Sequence, residues 1–183
     1  KKTLDRVTEE NPRLVEDLVP KLAPLSVVQR VLQGLLREKV SIRDAASILE
    51  ALSEAANLTK NPLLLVEYVR QSIGRTVVKP YLNDSGELAA FFVDPAVEDA
   101  VRSAVEHTEA ATRLNLAPAS IREILGRFQK CLGALQGPGV VITSAEVRFA
   151  LRQICEAVLP QAVFLSHAEI PANVRVVSLG LIQ

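Results

Sequence analysis

The stretch QGPGVVITSAE, residues 136–146, has the makings of an anion-binding turn. Gly137 and Gly139 precede an apolar strand that feeds a helix start, where free N–H groups can hold a negative group. The plainer account makes Gly-Pro-Gly a chain reversal and Ser144 a helix cap, and that is the expectation adopted. His167, in FLSHAEIP, has the chemistry of a base or a ligand, but no nucleophile or carboxylate pair accompanies it in sequence, so a solvated loop histidine is expected. Cys131 and Cys155 fall on the apolar stripes of separate helices and lack an electropositive local context, so they are expected to be packing residues in a reduced compartment. With two histidines and no short Cys/His spacing, no metal site is expected. There is no GxSxG, P-loop, GxGxxG or HExxH motif, so neither an enzyme nor a cofactor is expected.

The remaining chemistry is charge. In LREKVSIRDAASILEAL, residues 36–52, Arg37, Glu38, Lys39, Arg43 and Asp44 crowd the start of a helix that also carries Glu50. One reading is capping plus a solvated face, since surface ion pairs are individually weak. The other is a protein interface, in which Arg37, Glu38, Arg43, Asp44 and Glu50 meet opposite charges on a neighbouring subunit and fix the register between the two.

Helices position this cluster. Asn11-Pro12, Ser26 with Gln29, Ser41 with Asp44, and Asn61-Pro62 each place a capping side chain before a first turn. Ile42, Ala45, Ile48, Leu49, Leu52 and Ala56 recur at spacings of three and four, a stripe that must be buried. Val27, Val31, Leu32 and Leu35 do the same in the helix before, and Leu65, Val69 and Ile73 in the helix after. Short links imply a compact bundle of antiparallel helices over residues 1–80.

From residue 81 the pattern changes. ELAAFFVD reads as a buried strand ending at Asp94-Pro95, a cap and N1 proline for a helix over residues 95–107. A second helix fits Ser120 to Leu135 with Ser120/Glu123 as capping box, and EHTEAATRLNLAP between them reads as a mobile loop. Strand Val140–Thr143, a helix capped by Thr143 or Ser144 with Glu146, and strand Ala162–Ser166 form a parallel crossover. VRVVSLGLIQ adds a strand placing Val177, Leu179 and Leu181 on one face. The expectation is α+β: an all-helical lobe over residues 1–80, then a small α/β domain over 81–183 with a mixed sheet of about four strands.

Composition narrows the partners. Of the 183 residues, 49% are hydrophobic but only 4% aromatic, with no Trp, so single-stranded nucleic acid finds no stacking platform. The net charge is zero, yet residues 1–80 hold 13 Lys/Arg against 10 Asp/Glu and residues 81–183 hold 8 against 11, that is +3 and then −3. Such a split suits neighbouring lobes, or subunits meeting head to tail, better than a polyanion-binding surface. No apolar run reaches the roughly 18 residues of a membrane span. The sequence holds no Met and begins in mid-pattern at KKTLDRVTEENP, which reads as part of a longer protein.

LREKVSIRDAASILEAL, followed by NPLLLVEYVRQSIGRTVVKPYL, closely resembles the cytoplasmic region of the large export-gate proteins of bacterial type III secretion, the family shared by flagella and injectisomes. LDRVTEENPRLVEDLVP resembles the segment just upstream in that family, and VVITSAEVRFALRQICEAVLPQAVFLSHAEIP with VRVVSLGLI resembles its C-terminal end. EYVRQSIGR, Glu67–Arg75, looks more like flagellar members than injectisome ones. Ala45-Ala46 and the irregular HTEAATRLN depart from the pattern, which puts a contact surface in doubt rather than the fold.

The resemblance implies a non-enzymatic gate component at the cytoplasmic face of the bacterial inner membrane, with membrane helices and two further subdomains upstream. It implies a nine-membered ring of identical subunits, and export substrates, their chaperones and the stalk of the export ATPase as partners. The two lobes would be the third and fourth cytoplasmic subdomains. The groove for chaperones lies largely upstream, and none of its residues is carried over. Three alternatives stand beside this reading: an injectisome export-gate homologue, a free-standing helical adaptor, and a small enzyme working through the TSAE turn and His167.

Overall fold

The structure is a computed structural model that describes residues 12–19 and 21–183, apart from the side chains of Leu14 and Asp17. The expected cap at Asn11 and the turn residue Pro20 lie outside the described residues. The chain divides into two compact units, one reaching to Val77 and taking in His107–Thr112, the other comprising Val78–Glu106 and Arg113–Gln183.

The first unit is helical: α1 Pro12–Leu18, α2 Leu25–Arg37, α3 Ala45–Ala55, α4 Pro62–Ser72 and the short α5 Gly74–Val78 at its boundary. Its core is aliphatic, with Leu18, Val31, Leu35, Ile48, Leu52, Leu65 and Val69 buried. Each such side chain contributes about 1.5–3 kcal/mol on leaving water. On α2 the buried stripe is Val28, Val31 and Leu35, one position round from the expected Val27/Leu32 face. Gly34 lets α2 and α4 approach, since a Cβ there would lie 2.8 Å from Val66 Cγ2.

Two helix starts differ from expectation. α2 begins after Pro24 with no side-chain cap, so Ser26 and Gln29 sit inside it; proline's fixed φ already presets the entry. α3 begins after Asp44, not Ser41: Asp44 Oδ1 accepts from the Ser47 N–H at 3.2 Å. A carboxylate is the stronger acceptor at a helix N-terminus and complements its dipole. Ser41 Oγ instead accepts from the Arg43 N–H at 3.4 Å.

The second unit is built on four strands, β1 Glu87–Val93, β4 Gly139–Thr143, β5 Ala162–Ser166 and β6 Arg175–Ile182, in the order β5-β4-β1-β6. All three pairings are parallel, where a mixed sheet was expected. None of these strands is joined to its neighbour by a hairpin, and parallel pairing follows from long crossovers. The α+β class holds. The helices are α6 Pro95–Arg102, α7 Pro118–Leu132 and α8 Arg148–Cys155. α8 packs on β5 and on α7, with Phe128 and Phe164 ring centroids 5.6 Å apart. β4 is buried throughout, as a central parallel strand should be.

Four details correct the sequence reading here. α6 stops at Arg102, and residues 105–114 form a hairpin, β2 Val105–His107 and β3 Thr112–Leu114, where a continued helix and a loop were expected. Thr108 closes its turn, its N–H and Oγ1 both donating to Ala111 O at 2.8 and 2.9 Å. α7 starts at Pro118 after Ala117, so Glu123 does not cap but pairs with Arg127 at 2.8 Å. α8 starts at Arg148 with no side-chain cap. The β1–β6 register slips between Ala90 and Phe91 of β1, which pair with Ser178 and Gly180 of β6, so Val177 pairs with Ala89 and Leu181 with Phe92. Leu179 is the extra residue of this bulge, and Val177, Leu179 and Leu181 are all exposed.

Candidate functional site

The charged stretch is a helix-to-helix connection that begins with a hydrogen-bonded helix stop. At the end of α2 the Lys39 N–H donates to Leu36 O at 2.9 Å and the Val40 N–H to Leu35 O at 3.0 Å. These are the two bonds of a Schellman stop. Its left-handed position, usually glycine, is taken by Lys39 at φ 59°. Buried Val40 anchors the exit and buried Ala45 the next helix.

The five candidate residues therefore divide. Glu38 turns inward, accepting from Arg70 Nη1 at 3.0 Å, with the Arg70 side chain 2% exposed and Glu38 12%. Asp44 is occupied as the cap of α3. Arg37, Arg43 and Glu50 are exposed. Neither Arg37 nor Arg43, nor Lys39 between them, has a side-chain hydrogen bond or ion pair among the described residues. Arg70 escaped the sequence reading, although Val66, Arg70 and Ile73 recur at helical spacing on the face that is buried.

A second polar node joins α4 to the hairpin tip. Fully buried Asn61 caps α4, its Oδ1 accepting from Leu63 N at 3.0 Å. Its Nδ2 donates to Thr108 O at 2.8 Å and Thr112 Oγ1 at 3.0 Å. Thr112 Oγ1 also lies 2.8 Å from His107 Nδ1. The sequence announced the cap and not the second pair of bonds, which is why the tip is held and not loose.

The TSAE turn also has structural occupation. Glu98 Oε1 accepts from Ser144 N at 2.8 Å and from Thr143 Oγ1. Arg102 Nε donates to Glu146 Oε2 at 2.6 Å, and the same guanidinium pairs with Asp99 and, at 3.7 Å, Glu98. The hydrogen bond to Glu146 raises its pKa above the ordinary arginine value, desolvation opposes the rise, and the charges of Glu146 and Asp99 add to it. His167 stacks on Phe92 with centroids 6.1 Å apart, so the structure does not give it to Ser144. Cys155 is buried and its thiol is pushed up to about 12 by desolvation, the behaviour of a packing residue. In the core, Arg148 and Glu169, each fully buried, lie 3.7 Å apart. Arg148 Nη1 donates to Phe164 O at 3.2 Å, and Glu169 Oε2 accepts from Ser166 N at 3.0 Å.

No group of three or more His, Cys, Asp or Glu among the described residues is arranged to hold a metal ion. No helix among them is long and apolar enough to cross a membrane. What stands out is a rigid, charge-bearing surface loop. A family model described as the FHIPEP family matches residues 1–175. The chain belongs to that family.

This FHIPEP chain is 34% identical over 188 residues to the flagellar biosynthesis protein FlhA of Bacillus subtilis (strain 168), covering 100% of this chain and 28% of that one. It is 36% identical over 173 residues to FlhA of Salmonella typhimurium, covering 93% and 24%. It is also 34% identical over 167 residues to the low calcium response locus protein D of Yersinia pestis, covering 90% and 24%. The solved Chlamydia pneumoniae CdsV protein superposes with a TM-score of 0.93 at 31% identity, over 100% of this chain and 53% of that one. CdsV in its complex with CdsO gives 0.91 at 30%, over 100% and 53%. Nonameric EPEC SctV-C gives 0.86 at 28%, over 97% and 54%. The chain thus spans about a quarter of the length of these curated relatives and about half of the solved chains. The export-gate resemblance read from its motifs holds.

Proposed function

We propose that this chain is the cytoplasmic part of the export gate of a flagellar-type type III secretion apparatus. It is a non-enzymatic component that builds a ring of identical subunits at the cytoplasmic face of the bacterial inner membrane. There it contributes to docking export substrates, their chaperones and the stalk of the export ATPase. One observation carries the reading: the fold of this chain follows that of CdsV along its whole length, at a TM-score of 0.93. The nonameric state of the SctV-C relative supports a ring, and the complex of CdsV with CdsO supports partner binding.

Flagellar and injectisome relatives are equally close, at 34% for Bacillus subtilis FlhA and for the Yersinia pestis protein. The flagellar choice rests on Glu67–Arg75. Of the five interface candidates, Arg37, Arg43, Asp44 and Glu50 are exposed, which supports their meeting a neighbouring subunit, while Glu38 pairs with Arg70 and Asp44 also caps its helix.

The test is genetic. Deleting the gene should abolish motility and the export of hook and filament subunits, and the intact gene should restore both. Normal motility with loss of effector secretion would make it an injectisome gate. Normal behaviour in both assays would remove the export reading.

A further inference from the structure

The sheet of the second unit ends in two unlike edges. β5, at one end of the order, is short, Phe164–Ser166 are buried, and α8 packs on it. β6, at the other end, runs Arg175–Ile182 with β1 as its only sheet neighbour. Alternate N–H and C=O groups along its outer side therefore have no strand to pair with among the described residues. Val177, Leu179 and Leu181 on this strand are 37%, 52% and 44% exposed.

Folded proteins guard such an edge with lysine, proline, a bulge or a covering element. β6 holds neither lysine nor proline, and Arg175 at its start is paired with Glu87 at 3.0 Å. Val176–Ile182 carry no charged side chain, so charge complementarity there favours an uncharged, apolar strand. The guard present is the bulge at Leu179, followed by Gly180 at φ 145°, a backbone conformation that other residues rarely adopt. The bulge confines regular pairing on the outer side to Arg175–Ser178. It stops a long ladder without closing the edge.

We propose that β6 is a docking edge for an extended segment of an export substrate, which adds to the sheet as a further strand. The proposal rests on the export reading above and names the part of the substrate that is held. Main-chain hydrogen bonds supply the attachment whatever the sequence, which suits a gate whose cargo differs from one protein to the next. Exposed Val177, Leu179 and Leu181 favour apolar side chains on the segment. A lasting contact between copies of the chain buries about 1,200–2,000 Å² in total, more than so short a paired run provides. A few main-chain bonds hold a passing segment and let it go.

The experiment uses the full-length gene product and, as probe, a short synthetic peptide of alternating valine and threonine, compared with the same peptide methylated at its backbone nitrogens. The unmodified peptide should bind, and the methylated one should bind about tenfold more weakly or worse, the effect of losing one or two main-chain hydrogen bonds. Val177→Lys with Leu179→Lys, both at exposed positions, should weaken peptide binding by about the same factor. That variant should also export fewer hook and filament subunits, with its Tm and its ring assembly in native mass spectrometry unchanged. Absence of binding, or equal binding of the two peptides, overturns the proposal, and this comparison on the unaltered protein decides even if the lysine variant fails to fold. Normal export by a folded lysine variant overturns it as well. Loss of ring assembly in that variant overturns it by giving the edge to a second copy of the chain. Export that proceeds without the gene removes the export reading itself, an outcome separate from the peptide comparison.

Discussion

Each unit buries an arginine, and the two are neutralised differently. In the helical unit Arg70 reaches a carboxylate at the rim, on Glu38, whose side chain keeps 12% of its exposure. In the sheet unit Arg148 meets Glu169 where both side chains are completely buried, with the Phe164 carbonyl and the Ser166 N–H taking further bonds. The first arrangement ties a surface loop to a helix. The second locks α8 to the segment following β5. A rim pair leaves nearby groups free to serve a partner, whereas a core pair serves only the fold.

That contrast can be broken at its strong end first. Removing one member of a fully buried pair leaves the other desolvated, at about 3–5 kcal/mol. Arg148→Ala is therefore expected to lose that much stability in chemical denaturation, with a lowered Tm. If the loss is under about 1 kcal/mol, the pair is solvated and the contrast fails. Next in size is Asn61→Ala, which deletes a helix cap together with the bonds to Thr108 and Thr112. A cap is worth about 1 kcal/mol and each further buried hydrogen bond a similar amount, so about 2–3 kcal/mol is expected. Amide exchange at residues 108–112 should rise while exchange in β4 and β5 stays slow. Equal acceleration in both places would mean that Asn61 does not hold the tip specifically.

Legibility in the sequence followed the range of the interaction. Strands β1, β4 and β5 were readable because a parallel strand buried on both faces must be an apolar run, and Asn61-Pro62 and Asp94-Pro95 were readable because a cap and N1 proline act over four residues. The end of α6 was not, since Val105–His107 becomes a strand only by pairing with Thr112–Leu114. The bulge at Leu179 was invisible because alternation alone cannot report an extra residue in the register. At the candidate site the charged residues were visible, but their division was not. Glu38 and Arg70 are 32 positions apart, and no local pattern says which of five neighbouring charges will be taken by a distant one.

The rim end of the contrast carries two smaller predictions. Glu38→Gln keeps the shape and removes the charge, so a cost of about 1–2 kcal/mol is expected, below that of Arg148→Ala because water reaches the rim. High salt should shrink this loss more than the loss for Arg148→Ala, since exposed pairs are screened and buried ones much less. Equal salt sensitivity would place both arginines in the same environment.

The last prediction has the opposite sign. Lys39→Gly relieves the left-handed strain and is expected to stabilise the chain by about 0.5–1 kcal/mol, because the gain in backbone comfort exceeds the extra freedom glycine gives the unfolded state. Differential scanning calorimetry would show this as a small rise in Tm. The same substitution takes one cation from the loop, so it should weaken assembly as it strengthens the fold. A variant both more stable and equally able to assemble would show that the lysine is retained for neither purpose. Opposed shifts would mark position 39 as one where stability is given up for contact with a partner.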